Sequence, residues 1–204
     1  MSTRPPTDDE RLSGGVIQSH MLPPPPPHDW HAAIIASVVK AYGRFRRPVY
    51  VEIGVDRGAT MRHVSQHAAE SHAVDVTFEH VNGPLGVNVN RWEEPSDEFF
   101  RRVGDGRLPI APDVVFVDGD HDGDQVTKDL WNALSITHED GTVILHDTHP
   151  MEPQYLHWCS TAYEARMAAE ADPSLTTWTI PLFPGLTLVS KLTPPFVEAR
   201  AHAA

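Results

Sequence analysis

The sequence predicts an α/β fold built on a doubly wound, mostly parallel sheet. Short β-branched apolar runs recur along the chain, at Val49 to Ile53, Val114 to Val117 and Thr142 to Leu145. Stretches with helical spacing separate these runs, and parallel neighbours require such crossover connections. The run Val114-Val-Phe-Val117 is apolar throughout, as expected of a strand buried on both faces.

In order along the chain, Met1 to His28 is poor in large apolar residues and contains the prolines Pro23 to Pro27. Proline lacks a backbone donor, so this segment reads as an extended or disordered arm, and residues 29–204 as the folded domain. Asp29 is the expected N-cap of a first helix whose Trp30, Ile34, Val38 and Tyr42 share one face, with Gly43 ending it. Val49 to Ile53 is the first strand, Ala59 to Ala69 a helix, and Ala73 to Val76 the second strand. The turn Asn82-Gly83-Pro84 leads to a weak strand at Gly86 to Asn90, then to a helix at Ser96 to Val103 opened by Ser-Asp-Glu. After the strand Val114 to Val117, a helix is expected at Gln125 to Ser135, a strand at Thr142 to Leu145 and a longer helix around Gln154 to Ala171. Two closing strands, near Thr176 to Ile180 and Leu186 to Lys191, are joined by Pro-Gly turn material and read as antiparallel.

Composition narrows the function. The 204 residues fit one domain with a tail, and Lys plus Arg number 16 against 28 Asp plus Glu, a net charge of −12. Nucleic acid and anionic membranes are disfavoured partners, because phosphate binding needs clustered cations. No apolar stretch approaches the roughly 18 residues of a bilayer span, and no signal-peptide core is evident. Cys159 is the single cysteine, which excludes an intramolecular disulfide framework and fits a reducing cytoplasm.

In a doubly wound sheet, ligands sit beyond the carboxyl ends of the strands. The first strand ends in Glu52-Ile-Gly54-Val-Asp-Arg-Gly58-Ala-Thr60 and the second in Asp75. Gly54 permits a tight turn, Gly58 lets the next helix pack close, and Asp75 is placed to accept hydrogen bonds from ribose hydroxyls. An acid two residues before the first glycine suits a cationic ligand better than a pyrophosphate. After the fourth strand comes Asp118-Gly-Asp120-His121-Asp122-Gly123-Asp124, and after the fifth His146-Asp147-Thr148-His149. Carboxylates and imidazoles gathered in this way repel unless a cation neutralises them, and oxygen-rich ligands favour Mg, Mn or Ca. Asp118, Asp120, Asp122, Gly123 and Asp129 also fit the spacing of a calcium-binding helix-loop-helix, but the strand run before Asp118 argues against the entering helix that motif needs. Asp122 and Asp124 read as turn or helix-capping residues.

The Glu52 to Thr60 turn followed by Asp75 resembles motif I of class I S-adenosylmethionine (SAM) dependent methyltransferases. Val117-Asp118-Gly-Asp120-His121, a helix, and then Asp140-Gly-Thr-Val-Ile-Leu-His146-Asp147 resemble the metal-dependent O-methyltransferases that modify sugars and sugar-bearing natural products, which include methylmannose-polysaccharide 1-O-methyltransferases. The resemblance covers roughly Val49 to Lys191. It implies a Rossmann-like seven-stranded sheet of order 3-2-1-4-5-7-6, with SAM bound by Glu52, Gly54, Gly58, Thr60, Asp75 and Asp118. It also implies Mg, or Mn, held by Asp118, Asp147 and His146, where His146 stands at a position commonly Asp or Glu. The general base would be His121 or Asp120; a neutral imidazole, with an intrinsic pKa of roughly 6.5, is the better base at neutral pH. The implied reaction is methyl transfer to a hydroxyl of a small sugar or glycoside by a cytoplasmic enzyme, with a homodimer compatible. A catechol-like phenol O-methyltransferase and a non-catalytic calcium- or nucleotide-binding module are the alternatives.

Overall fold

The computed structural model describes residues 30–151 and 153–192. The proline-rich arm and the Asp29 cap lie outside them. Helix α1 (Trp30–Tyr42) leads into β1 (Val49–Ile53), α2 (Ala59–Val64), β2 (Glu70–Asp75), β3 (Val89–Glu93), α3 (Ser96–Gly104), β4 (Val114–Val117) and α4 (Gly123–Ile136). There follow β5 (Thr142–His146), α5 (Leu156–Cys159), α6 (Tyr163–Ala171), β6 (Leu175–Ile180) and β7 (Leu186–Lys191). The seven strands form one sheet in the order β3-β2-β1-β4-β5-β7-β6, as the resemblance implied. β3, β2, β1, β4 and β5 run parallel, whereas β7 pairs antiparallel with both β5 and β6.

Period-two alternation divides the core between the two faces. Val51, Ile53, Val115, Val117, Val143 and Leu145 point to the side covered by α3, α4 and α6. Tyr50, Val114, Phe116 and Ile144 point to the side of α1 and α2. Fully burying a side chain of this size is worth about 1.5–3 kcal/mol, so these central strands dominate the packing free energy.

Several elements depart from the sequence reading. On α1 the buried residues are His31, Ile35, Ala36 and Val39, one position round from the expected face. Ile34, Val38 and Tyr42 instead line an open apolar groove of about 600 Å³ with Phe45, Trp178 and Leu188. β3 begins three residues later than expected, and Asn88 belongs to the connection before it, its side-chain amide donating to the Ser65 and Ala68 carbonyls at 2.9 and 3.1 Å. The segment after Ala59 is a short α2 followed by a 3-10 turn at Ser65–His67. The expected long helix breaks into a turn at Pro153–Tyr155, α5 and α6, with Ser160 between the helices at φ 46°. α4 starts two residues early because Asp122 caps it, accepting from the backbone N–H of Asp124 at 3.1 Å and of Gln125 at 3.4 Å. No helix among the described residues is long and apolar enough to cross a membrane.

Candidate active site

A cavity of about 620 Å³ opens beyond the carboxyl ends of β1, β2 and β4. Its floor is the turn after β1. Gly54 there has φ +84°, and a Cβ on it would stand 2.2 Å from the Asp118 carbonyl oxygen, so only glycine lets this turn cross the one after β4. Asp75 fixes the same turn: its carboxylate accepts the backbone N–H groups of Val55 at 2.7 Å, Asp56 at 3.1 Å and Thr77 at 3.2 Å. Asp75 lines the cavity, but with Oδ2 filled by two N–H donors only Oδ1 has an acceptor site left for a ligand hydroxyl.

Of the other residues expected around the cofactor, Gly54 and Asp118 line this cavity, whereas Glu52, Gly58 and Thr60 are not among its walls. Glu52 is 1% exposed on the opposite face of β1, where Tyr50 Oη donates to it at 2.6 Å and the Met61 backbone N–H donates to it from the first turn of α2. Burial pushes this carboxyl up to about 8, which keeps it from serving as a counter-charge in the cavity. Gly58 opens α2 and clears room for Leu85, whose Cδ2 would lie 2.3 Å from an added Cβ. The Thr60 hydroxyl is 3.0 Å from His31 Nε2.

Residues the sequence reading passed over complete the wall. Glu94 enters from the loop after β3, Ser96 and Asp97 from the first turn of α3, and Gln125 and Asp129 from α4. Misplacing β3 hid the first group, since the strand-end rule would otherwise have pointed to it. Ser96 Oγ and Gln125 Nε2 both donate to Asp129 Oδ1, at 2.8 and 3.0 Å, and burial raises this carboxyl to about 6. Asp129 thus belongs to a bond network on α4. Together with the strand β4 entering at Asp118 and the Asp122 cap, this removes the calcium-loop reading of the segment.

At the mouth, β5 delivers Asp147, whose φ of +57° is unusual for a residue with a Cβ and turns the chain sharply at the strand end. Asp118, His121 and Asp147 converge, each offering a ligand atom within 4.8 Å of the others. His121 Nε2 is 3.1 Å from Asp147 Oδ2, and its Nδ1 is 2.8 Å from the Trp158 carbonyl oxygen. Asp120 is exposed and accepts the Asp122 N–H at 2.9 Å. His146 lies outside the converging set, contrary to the expected ligand trio. Its Nδ1 is 2.8 Å from Asp118 Oδ1 and 3.5 Å from Asp147 Oδ2, and its buried Nε2 has no hydrogen-bond partner among the described residues. Burial alone would lower the His146 pKa, but Asp118 and Asp147 outweigh it and raise it to about 10. Asp147 is held below the usual carboxylate range, His146 and His121 overriding its burial. Burial and the Asp147 carboxylate push the Cys159 thiol up, so it stays protonated.

Residues 51–148 match the family model described as a methyltransferase domain. That segment, just under half of the chain, is similar to methyltransferase domains. Solved structures share its fold at low identity. An O-methyltransferase from Bacillus cereus, solved with S-adenosylhomocysteine (SAH), is 12% identical with a TM-score of 0.63, over 84% of each chain. The O-methyltransferase TomG from Streptomyces achromogenes, involved in tomaymycin synthesis and solved with SAM, is 15% identical with a TM-score of 0.61, over 79% of this chain and 81% of its own. An SAH-bound methyltransferase from Podospora anserina is 14% identical with a TM-score of 0.61, over 80% of this chain and 78% of its own. No curated protein matches the chain. The matched segment extends to Thr148 and so spans the three strand-end motifs that form the cavity and the converging trio.

Proposed function

We propose that the chain is a SAM-dependent O-methyltransferase that methylates a hydroxyl of a small sugar or glycoside with the help of a divalent cation. The observation that carries this reading is that one cavity runs from Asp75 and the glycine turn to Asp118, Asp120 and His121. A donor seated against β1 and β2 and an acceptor seated at the mouth would therefore meet in line. The SAM- and SAH-bound neighbours support the choice of donor.

The donor set at the mouth suits a cation: two carboxylates and an imidazole, one carboxylate deeply buried, lie within reach of a single ion. Asp118 and Asp147 would hold it. When bound, SAM supplies an electrophilic methyl on a sulfonium, and the cation supplies a Lewis acid that orients and acidifies the acceptor hydroxyl. The chain's own residues do the rest. Gly54 and Asp75 shape the donor seat, and the acidic walls attract a positively charged sulfonium. Asp120 and His121 stand where the hydroxyl proton leaves. Trp158, 51% exposed, adjoins His121 through its carbonyl and offers an aromatic face to the CH face of a sugar ring. No cavity residue selects mannose over another sugar.

The test is transfer of radiolabelled methyl from SAM to a panel of mono- and disaccharides and catechol, with and without EDTA. Label in a saccharide, lost on chelation, supports the proposal. Label in catechol alone transfers the assignment to a phenol, which would use the same cation.

A further inference from the structure

We propose that His121 is the third ligand of this cation centre, making it a site of two carboxylates and one imidazole that takes Mn²⁺, Co²⁺ or Zn²⁺ in preference to Mg²⁺. The inference rests on the metal-assisted reading above and assigns to one residue a role opposite to that of general base.

The imidazole's two nitrogens face different partners. Nδ1 lies 2.8 Å from the Trp158 carbonyl oxygen, which only accepts, so Nδ1 carries a proton. In the neutral ring Nε2 is then a bare lone pair, directed at Asp147 Oδ2 only 3.1 Å away. Lone pair and carboxylate repel each other unless a cation or a ring proton lies between them. A separation of 3.1 Å is also what two adjacent ligands of one ion adopt when each bond is about 2.1 Å long. A ring N–H bonded to a backbone carbonyl is, in addition, the usual way a metal-bound histidine is oriented. Asp118 supplies the remaining carboxylate within the 4.8 Å spread.

The competing ligands are engaged elsewhere. His146 directs Nδ1 at Asp118, and its ring lies tilted against that of His31, with centroids 4.8 Å apart. Asp120 turns one carboxylate oxygen back to the Asp122 N–H. Exchanging a carboxylate for an imidazole matters chemically because Mg²⁺ is a hard ion that prefers oxygen, whereas affinity for a nitrogen donor rises from Mn²⁺ towards the later divalent ions. With His121 Nε2 engaged, the hydroxyl proton falls to Asp120.

Isothermal titration of the metal-stripped full chain with Mn²⁺ and with Mg²⁺, at one pH and alongside a SAM titration of the same sample, decides the matter. The wild type should bind Mn²⁺ at least about 10-fold more tightly than Mg²⁺. His121→Ala should lose most of that preference, His121→Asp should restore Mg²⁺ binding and reverse it, and His146→Gln should keep it. A wild-type preference for Mg²⁺, or unchanged Mn²⁺ affinity in His121→Ala, overturns the proposal and leaves His121 as a side-chain partner of Asp147. If the wild type binds SAM but neither ion at millimolar concentration, the metal-assisted reading falls with it. Failure to bind SAM as well would instead sink the methyltransferase assignment.

Discussion

Asp75 carries two duties at once, and its variants should show both. It accepts three backbone N–H groups that shape the glycine turn and keeps one acceptor site towards the cavity. Asp75→Ala should weaken SAM binding by about 1.5–3 kcal/mol, as for a hydrogen bond to a charged group, and should also lower the melting temperature because the turn loses its acceptors. Calorimetric titration and a thermal melt on the same sample check this; unchanged SAM affinity would remove the carboxylate from the donor seat. Asp147→Ala should reduce methyl transfer by more than about 100-fold while SAM still binds, since the ion it would hold addresses the acceptor; full activity of that variant in a kinetic assay would return Asp147 to a structural role. Asp118, Asp120, His121 and Asp147 were legible in the sequence because a strand-end position fixes where a residue sits. Glu52, Thr60 and His146 lie apart from the cavity wall and the converging trio because side-chain direction is not so fixed. Glu52 follows Tyr50 onto the α1 face of the sheet, and His146 bonds sideways to Asp118.

At the scale of elements, the crossing of the turns after β1 and β4 is the tightest joint of the site. Gly54→Ala would set a Cβ 2.2 Å from backbone at a φ of +84°, and backbone cannot swing aside. A loss of at least about 2 kcal/mol is expected in urea denaturation. Gly58→Ala should cost less, because the atom it meets at 2.3 Å is the end of the Leu85 side chain, which can rotate. Equal costs would show that strain at φ, rather than the clash, decides both. β4 was placed correctly from sequence because its apolar run is unbroken and β-branched. β3 and the α5–α6 break were not, because the β2–β3 connection is held by side-chain bonds from Asn88, and the break rests on Ser160 adopting φ 46°; neither leaves a periodic trace.

Across the whole molecule, two buried groups tie stability to pH. The Glu52 carboxyl is raised from 4.5 to about 8 and the His146 imidazole from 6.5 to about 10. In both, the folded state holds its proton more tightly than the unfolded state. Glu52 therefore contributes stability fully below about pH 4.5 that is lost as pH rises through about 8, and His146 contributes stability below 6.5 that is lost as pH rises through about 10. The melting temperature should fall steadily from pH 5 to 9, and Glu52→Gln, which cannot ionise, should flatten the part of that slope below about pH 8. A variant melting curve that tracks the wild type at every pH would mean Glu52 does not titrate in this window. The sheet order followed from the family resemblance carried by the strand-end motifs, whereas the groove beside α1 was not readable, since it depends on a helix rotated by one residue.

Donor binding underlies every other role proposed for this site. Isothermal titration of SAM into the full-length chain in the presence of EDTA tests it most directly. Micromolar-scale binding that survives chelation and weakens in Asp75→Ala is the expected result. The absence of binding heat in a folded sample would contradict it.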